Sequence, residues 1–492
     1  MRRRKSHKRA VISLITFLVV GLGVFVGAQY VFKIGLFAKP GEVIYDESLN
    51  DEELELLGNI FTEDIKLKSD VKIAGEYSLE RPDDNAGTYI YNIYVPVTDY
   101  YSLESNIEID QAENAFADAY HREVEFEMVP VEELVFSQKL LALNDSYYLD
   151  EFDKGAVYRM LKFDSDRFAE EIQPLIDEKL ARKYPEKDTV LTFAQTGVTA
   201  MSRGMKEKLD QVGDAKFFAE KVGGYLSGFD LTHTSNEASF TEYATSSNIC
   251  SDPRFMATLE AIGLDIVELT GNHNQDCGDE AAEETIDLYQ EKGIKIVGGG
   301  KTAAEAAEPL EISQKGNKIT FLAYNESTGG ATTGETPGAN QYDETNATAE
   351  IKAAKERGDF VIVDVQYYEC AAYASETEDA TCDRADSAAG DQVGFFRHLI
   401  DLGADMVVGT SAHQPQTFEL YEDGVIYYGL GNLFFDQVWW PGTTRSLVLA
   451  HYFYDGKLLQ TRVVPTVYDE NMQTMIMDNP EWYLQRLISV RP

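Results

Sequence analysis

From Thr189 onward, strand-like and helix-like runs alternate, and this constrains the fold of the 492-residue chain more than any other feature. The run "TVLTFAQTGV" precedes the helical "AKFFAEKVGGYLSGF", and "DLTHTSNEASF" follows. Helix "DPRFMATLEAIG", strand "LDIVELTG", helix "DEAAEETIDLYQEKG" and strand "IKIVGGG" come next. Strand "KITFLAYNE", helix "NATAEIKAAKERG", strand "FVIVDVQYYE", helix "AGDQVGFFRHLIDLG" and strand "DMVVGTSAH" continue the pattern. Helices close at Gly293, Gly358 and Gly403, where a left-handed terminating residue is expected. Such alternation predicts an α/β fold with helices outside the sheet. The chain then becomes β-rich, in "QTFELYEDGVIYYGLGNLFFDQ" and "TRSLVLAHYFYDGKLLQTRVVPT", which predicts a second sheet packed on the first.

What precedes this region differs in kind. Residues 1–9, "MRRRKSHKR", hold six Lys/Arg and no acid, while the whole chain carries −41, leaving −47 on the remainder. Residues 10–32, "AVISLITFLVVGLGVFVGAQYVF", are without charge over 23 positions, enough to cross a bilayer at ~1.5 Å rise per residue. The basic head favours an N-in orientation, so a single-pass anchor with the bulk of the chain outside the cytoplasm is expected. A cleaved signal peptide ending at Val26-Gly27-Ala28 is the alternative. Residues 33–70 read as an acidic linker, and residues 71–185 as a small α/β domain of unknown role, tyrosine-rich and with short β-type runs. The strong negative charge argues against nucleic-acid binding, because phosphates would be repelled.

Four cysteines, Cys250, Cys277, Cys370 and Cys382, permit disulfides in an exported protein. Cys370 and Cys382 flank a short loop and form the first candidate pair, with Cys250–Cys277 second and four free thiols the alternative. None has the CxxC spacing of a zinc ligand.

Polar residues collect at the ends of the strand-like runs. One end supplies His233, Asn236 and Glu237, the next Asn272 and His273, and a third Gln366 and Glu369. Two later ones supply Ser411 with His413, and Asn432 with Asp436. Ligands of α/β sheets sit outside the carboxyl ends of strands, so these loops are expected to converge on one site. A single histidine at a strand end is more often a hydrogen-bonded surface group than a ligand, and repetition over successive strands is what favours a site. Oxygen and imidazole donors of this kind suit a divalent Zn, Mn, Fe or Mg ion.

Those blocks carry a family resemblance. "GLDIVELTGNHNQDCG", "VIVDVQYYE" and "FFRHLIDLGADMVVGTSAHQPQTFELYEDGVIYYGLGNLFFDQ" resemble, in order, segments of the CapA-type capsule proteins of poly-γ-glutamate synthesis. The resemblance covers roughly residues 189–440, and a CapA-like domain over 189–470 is expected. It implies a four-layer α/β/β/α sandwich resembling the calcineurin-like metallophosphatases, with a metal site between loops. The chain departs from the family pattern in three places. The first strand lacks the family's Gly-Asp acid, reading "FAQTGVTAMSRG"; Gln366-Tyr367-Tyr368 replaces a His-Trp-Gly segment; and the two-histidine turn keeps only His413, with Gln414 and Gln416 beyond it. A dinuclear centre needs a bridging carboxylate and several imidazoles, so one Mn, Fe or Zn at most is expected.

Glu237, Asn272, His273 and His413 are the expected metal ligands. Arg203 is the expected clamp for a phosphate or carboxylate, and Glu369 or His233 the expected general acid or base. The partners implied are the membrane, through the N-terminal helix, and an envelope polymer or the capsule-synthesis machinery. The functional expectation is an anchored extracytoplasmic protein of capsule polymer synthesis, either a metal-dependent hydrolase or transferase or, alternatively, a non-catalytic scaffold with a degenerate metal site. A plain phosphoesterase outside the cell is a third, weaker reading. One physical objection stands against a polyanionic substrate: a body carrying −47 repels it unless cations screen the charge.

Overall fold

The structure is a computed structural model of the chain. It describes residues 42–492 other than 63, 64, 66, 68, 83–86, 109–125, 180–183, 327, 328, 369, 371–380 and 386–389. The basic head, the expected membrane span at 10–32 and the candidate base Glu369 lie outside the described residues. Among the described residues no helix is long and apolar enough to cross a membrane.

Two compact units divide the chain. The first runs to Val97 and takes in Asn106–Glu133 and Leu141–Tyr184; the second is Thr98–Ser105, Leu134–Leu140 and Pro185–Pro492. In the first unit, strand Val43–Tyr45 pairs in parallel with Val71–Ser78. That strand pairs antiparallel with Val157–Asp164, which continues through Thr88–Asp99 to Glu127–Pro130. The helix Asp51–Ile60 buries Leu57 and Ile60 against Val71, Ile73, Leu161 and Phe163. The stretch expected as an acidic linker is therefore, from Val43, part of this folded unit. Its acids misled because they cap a helix. Asn50 and Glu53 form a reciprocal capping box, and Asp51, Glu52 and Glu53 sit at the positive end of the helix dipole.

The second unit carries the alternation. Its first sheet is built on β1 (Leu191–Thr199), β2 (Leu231–Asn236), β3 (Ile266–Glu268) and β4 (Lys295–Val297), all parallel in the order β4-β3-β2-β1. Its second sheet contains β5 (Leu310–Gln314), β6 (Asn317–Asn325), β7 (Phe360–Gln366), β8 (Met406–Gly409), β9 (Phe418–Tyr421) and β10 (Gly424–Tyr427), in the order β5-β6-β7-β8-β10-β9. Strands β6, β7, β8 and β10 are parallel, and β5 and β9 form antiparallel edges. Strand β11 (Asn432–Phe434) pairs with the end of β1. The long hairpin β12 (Arg445–Tyr454) and β13 (Lys457–Tyr468) then extends the first sheet antiparallel to β1, with β14 (Thr474–Ile476) outermost. The C-terminal β-rich text thus does not form a sheet of its own, as its order in the sequence had suggested: β9 and β10 complete one sheet, and the hairpin completes the other.

One core joins the inner faces of the two sheets, with Leu191, Phe193, Ile266 and Leu449 against Phe321, Ile362, Val408 and Val425. Two further cores lie on the outer faces. Leu209, Phe255, Leu259 and Ile286 cover the first sheet; Ile351, Phe396 and Leu399 cover the second. The second unit is a mixed α/β assembly with helices outside both sheets. Central strands such as "FVIVDV" are apolar but for a single residue, Asp364, because both of their faces are buried. Gly293, Gly358 and Gly403 adopt φ of 74°, 78° and 116° after their helices, as expected.

Candidate functional site

The C-terminal ends of β1, β2, β3, β6, β7 and β8 meet along one edge, joined by hydrogen bonds. The Glu237 N–H donates to Thr199 O at 3.0 Å, and Thr410 N–H to Val365 O at 2.9 Å. Asn325 Nδ2, ending β6, donates to Thr270 O at 2.7 Å, which links the second sheet to the loop after β3.

Glu237 and His413 face each other there. Both are buried, and His413 Nε2 lies 3.7 Å from Glu237 Oε2. The imidazole is oriented from behind: its Nδ1 is 2.8 Å from Asn432 Oδ1, while Asn432 Nδ2 donates to Thr443 O at 3.0 Å and Gln437 Oε1 at 3.2 Å. Those amide bonds fix the Asn432 oxygen towards the ring, so Nδ1–H donates and Nε2 is the nitrogen presented to the carboxylate. Phe435 packs on the ring at 5.2 Å. Gly271 crosses directly over Glu237: a Cβ there would stand 2.9 Å from Glu237 Cγ, which is why the loop after β3 carries glycine at this position.

The other expected ligands part from this pair. Asn272 accepts from Gln366 Nε2 at 3.0 Å, which ties β3 to β7 at the site's floor. His273 turns outward, with Nδ1 2.8 Å from Asp276 Oδ2 and its side chain 26% exposed. Arg203 is closed on Asp436, Nη2 to Oδ1 at 2.5 Å, and lies over Phe435 at 4.9 Å and near Trp439 at 5.8 Å. It is held by an internal carboxylate rather than left open for a substrate anion. His233 does not reach the site. It lies between the sheets, stacked on Phe321 and 3.1 Å from Asp364, so it is not placed to exchange a proton with substrate. All six residues of β2 are buried, so alternation along the strand gave no sign of which end this histidine served.

Among the described residues, no group of three His, Cys, Asp or Glu side chains could hold a metal ion. The Glu237–His413–Asn432 arrangement has the form of a metal-bound imidazole oriented through its second nitrogen, yet it offers two donors where a catalytic zinc centre keeps three. The described donors fit one cation incompletely, and no dinuclear centre.

Both disulfides brace this edge. Cys250–Cys277 ties the loop after β2 to the loop after β3 across 27 residues, and Cys370–Cys382 closes 12 residues after β7. Asp383, beside Cys382, binds Gln414 and Arg486 and so steadies the turn that carries His413. Exchanging Cys250 and Cys277 together for serine is expected to cost about 3.5 kcal/mol, the loop-closure entropy of a link this long. Urea unfolding of wild type and variant, each with and without reductant, measures it. A variant as stable as the oxidised wild type would show that the link does no such work.

A buried set went unread in the sequence: Gln195, Glu268, Asp364 and His451, which lie with His233 between the sheets. The signal was present, because Glu268, Asp364 and His451 each interrupt an apolar run, in "DIVEL", "VIVDV" and "LVLAHYF". A lone ionisable residue in such a run is forced into the core.

A two-sheet α/β unit with a polar site at its strand ends is thus the class of protein that fold and site define. Its family is given by sequence: the family described as Bacterial capsule synthesis protein PGA_cap matches residues 192–437, and the chain belongs to it. Similar relatives include the Capsule biosynthesis protein CapA of Bacillus anthracis, 24% identical over 302 residues, 58% of this chain and 70% of that protein. The PGA biosynthesis protein CapA of Bacillus subtilis is 24% identical over 278 residues, 55% of this chain and 70% of the relative. A probable polyglutamine synthesis accessory protein of Mycobacterium tuberculosis is 28% identical over 207 residues, 39% and 51% of the two chains.

Proposed function

We propose that this chain is a membrane-anchored, extracytoplasmic factor in assembly of a capsule or envelope polymer of the poly-γ-glutamate type. In this reading, its metallophosphatase-like sandwich hydrolyses or transfers a polymer bond at the strand-end site. The observation that carries the catalytic part is the facing of His413 Nε2 and Glu237 Oε2 across 3.7 Å, with Asn432 orienting the ring. A buried imidazole nitrogen facing a carboxylate is the pairing of groups that general acid–base catalysis on an amide or ester uses. At most one divalent Mn, Fe or Zn belongs to the reading, with Glu237 and His413 as its protein donors, where it would polarise the bond under attack. Glu369 remains the candidate for a second proton-transfer group. Screening by cations answers the repulsion between an acidic protein and an acidic polymer.

A second reading, a non-catalytic scaffold for the synthesis machinery, draws support from the closed Arg203–Asp436 clamp and from glutamine at positions 366, 414 and 416. The first test is genetic. A strain lacking this chain should lose surface polymer and regain it on complementation by the intact chain, as measured on washed cells. Normal polymer in the deletion strain would end both readings.

A further inference from the structure

Beside the strand-end site stands an aromatic lip that the acid–base chemistry proposed above does not use. It is carried by residues 437–443, "QVWWPGT", directly after β11. Trp439 is 54% exposed and its neighbour Val438 45%, while Trp440 is half-buried and meets the Trp439 ring in a T-shaped arrangement at 5.8 Å. Adjacent apolar side chains left in water next to a polar site mark a binding surface.

The lip is fixed in place. Thr443 Oγ1 donates to Gln437 O at 2.6 Å, the Tyr468 hydroxyl to Thr443 O at 2.8 Å, and the Val438 N–H to Asp436 O at 2.8 Å. Gly442 packs so closely on Gln414, the residue after His413, that a Cβ there would run into Gln414 Oε1. A ring already held by such a loop loses little freedom when a ligand engages it.

A row of stacked groups leads from the lip to the site. The Trp439 ring lies 5.8 Å from Arg203 Cζ, Arg203 Cζ 4.9 Å from the Phe435 ring, and Phe435 5.2 Å from the His413 ring. Arg203 keeps its place at a cost, with φ 48° and ψ −109°, a backbone region that suits glycine. Both oxygens of Asp436 hold it there, Oδ1 on the guanidinium and Oδ2 on the Gly204 N–H at 2.9 Å. Backbone strain of this kind collects at ligand-binding positions.

The chemistry of the lip selects its ligand. An indole face carries negative potential and attracts C–H groups of partial positive charge. A β-linked hexopyranose presents such a face, because its axial C–H bonds point above and below the ring while its hydroxyls lie around the rim. Gln437 and the Arg203–Asp436 pair are planar polar groups suited to those hydroxyls. Charge points the same way: Arg203 and Asp436 cancel each other, and the chain beyond residue 9 carries −47, which favours an uncharged ligand over an acidic one. We propose that Trp439 and Arg203 form a saccharide subsite, in which the indole stacks one pyranose of a β-linked hexose or N-acetylhexosamine chain and directs the following units towards Glu237 and His413. The inference rests on the reading of this edge as a polymer site, and it places sugar rings in the polymer that reaches it.

Titration calorimetry of the intact chain with cellotetraose, chitotetraose, a γ-linked glutamate hexamer and phosphatidylglycerol vesicles tests this. Saturable binding of at least one tetrasaccharide is expected, and Trp439→Ala should weaken it about tenfold or more, the usual effect of truncating an anchoring tryptophan. Trp482→Ala, which removes a tryptophan 52% exposed on the C-terminal helix, should leave it unchanged. Failure of both tetrasaccharides to bind the wild-type chain overturns the proposal, and so does equal affinity in wild type and Trp439→Ala. Trp439-dependent binding of the glutamate hexamer or of the vesicles in place of the saccharides also overturns it. The deletion strain is read separately: saccharide binding beside normal surface polymer would keep the subsite and end the polymer-assembly reading, and lost polymer without saccharide binding would do the reverse.

Discussion

Glu53→Ala is expected to lower the stability of the first unit by about 3–5 kcal/mol, the cost of leaving one member of a buried ion pair without its partner. Glu53 has no solvent exposure, and its two oxygens take Arg159 Nε at 2.7 Å and Nη2 at 2.8 Å. The guanidinium also donates to Ser48 O at 2.7 Å and lies 4.6 Å from the Tyr77 ring centroid. Gly75 makes room for it, since a Cβ there would come within 2.2 Å of Nη2. Helix Asp51–Ile60 is fastened to strand Val157–Asp164 through this pair, so its loss should unfold helix and sheet together. Glu53→Met with Arg159→Met should recover most of the loss, because it removes both charges and fills the space. Urea denaturation, with exchange of 71–78 and 157–164 as the local readout, gives both numbers. A Glu53→Ala cost below about 1 kcal/mol, with no gain in the double variant, would place the pair among weakly coupled surface bridges.

The same buried pair shows where sequence reading fails. In "DESLNDEELELLG" the acids look like a solvated linker, because nothing local reveals that Glu53 is an N3 capping residue with a partner 106 positions away. Alternation in the second unit was legible for the opposite reason. Each strand and helix there is set by its own apolar spacing and by terminators such as Gly293 and Gly358, all local properties. Sheet membership is non-local, and so the hairpin Arg445–Tyr468 was placed in a sheet of its own when it pairs with β1. The site follows the same division. Glu237, Asn272 and His413 were legible as strand-end groups and lie on the edge where the strands meet, yet the outward turn of His273 depends on Asp276 three residues on. His233 could not have joined Glu237 in one site: four residues of extended strand separate them by about 13 Å.

Glu237→Gln is expected to reduce polymer output about 10²-fold or more if the strand-end pair performs acid–base chemistry, the range lost when a positioned proton-transfer group is removed. The substitution keeps volume and shape at a fully buried position, so the fold should persist, and matched surface levels of the protein would establish that. His413→Gln should produce a loss of the same order, because each partner works only by sharing a proton or cation with the other. The double variant should then be no worse than either single one, as expected for residues that act as a unit. Asn432→Leu addresses the orientation of the ring: without the amide oxygen 2.8 Å from Nδ1, the proton is no longer confined to that nitrogen. A partial loss is expected there, smaller than for Glu237→Gln, since the ring is still packed by Phe435. Measuring polymer on cells of the deletion strain carrying each variant separates the two functional readings. If Glu237→Gln and His413→Gln both sustain wild-type output, proton transfer at this pair is not the function, and the strand-end surface is left with the scaffold role that the closed Arg203–Asp436 clamp already favours.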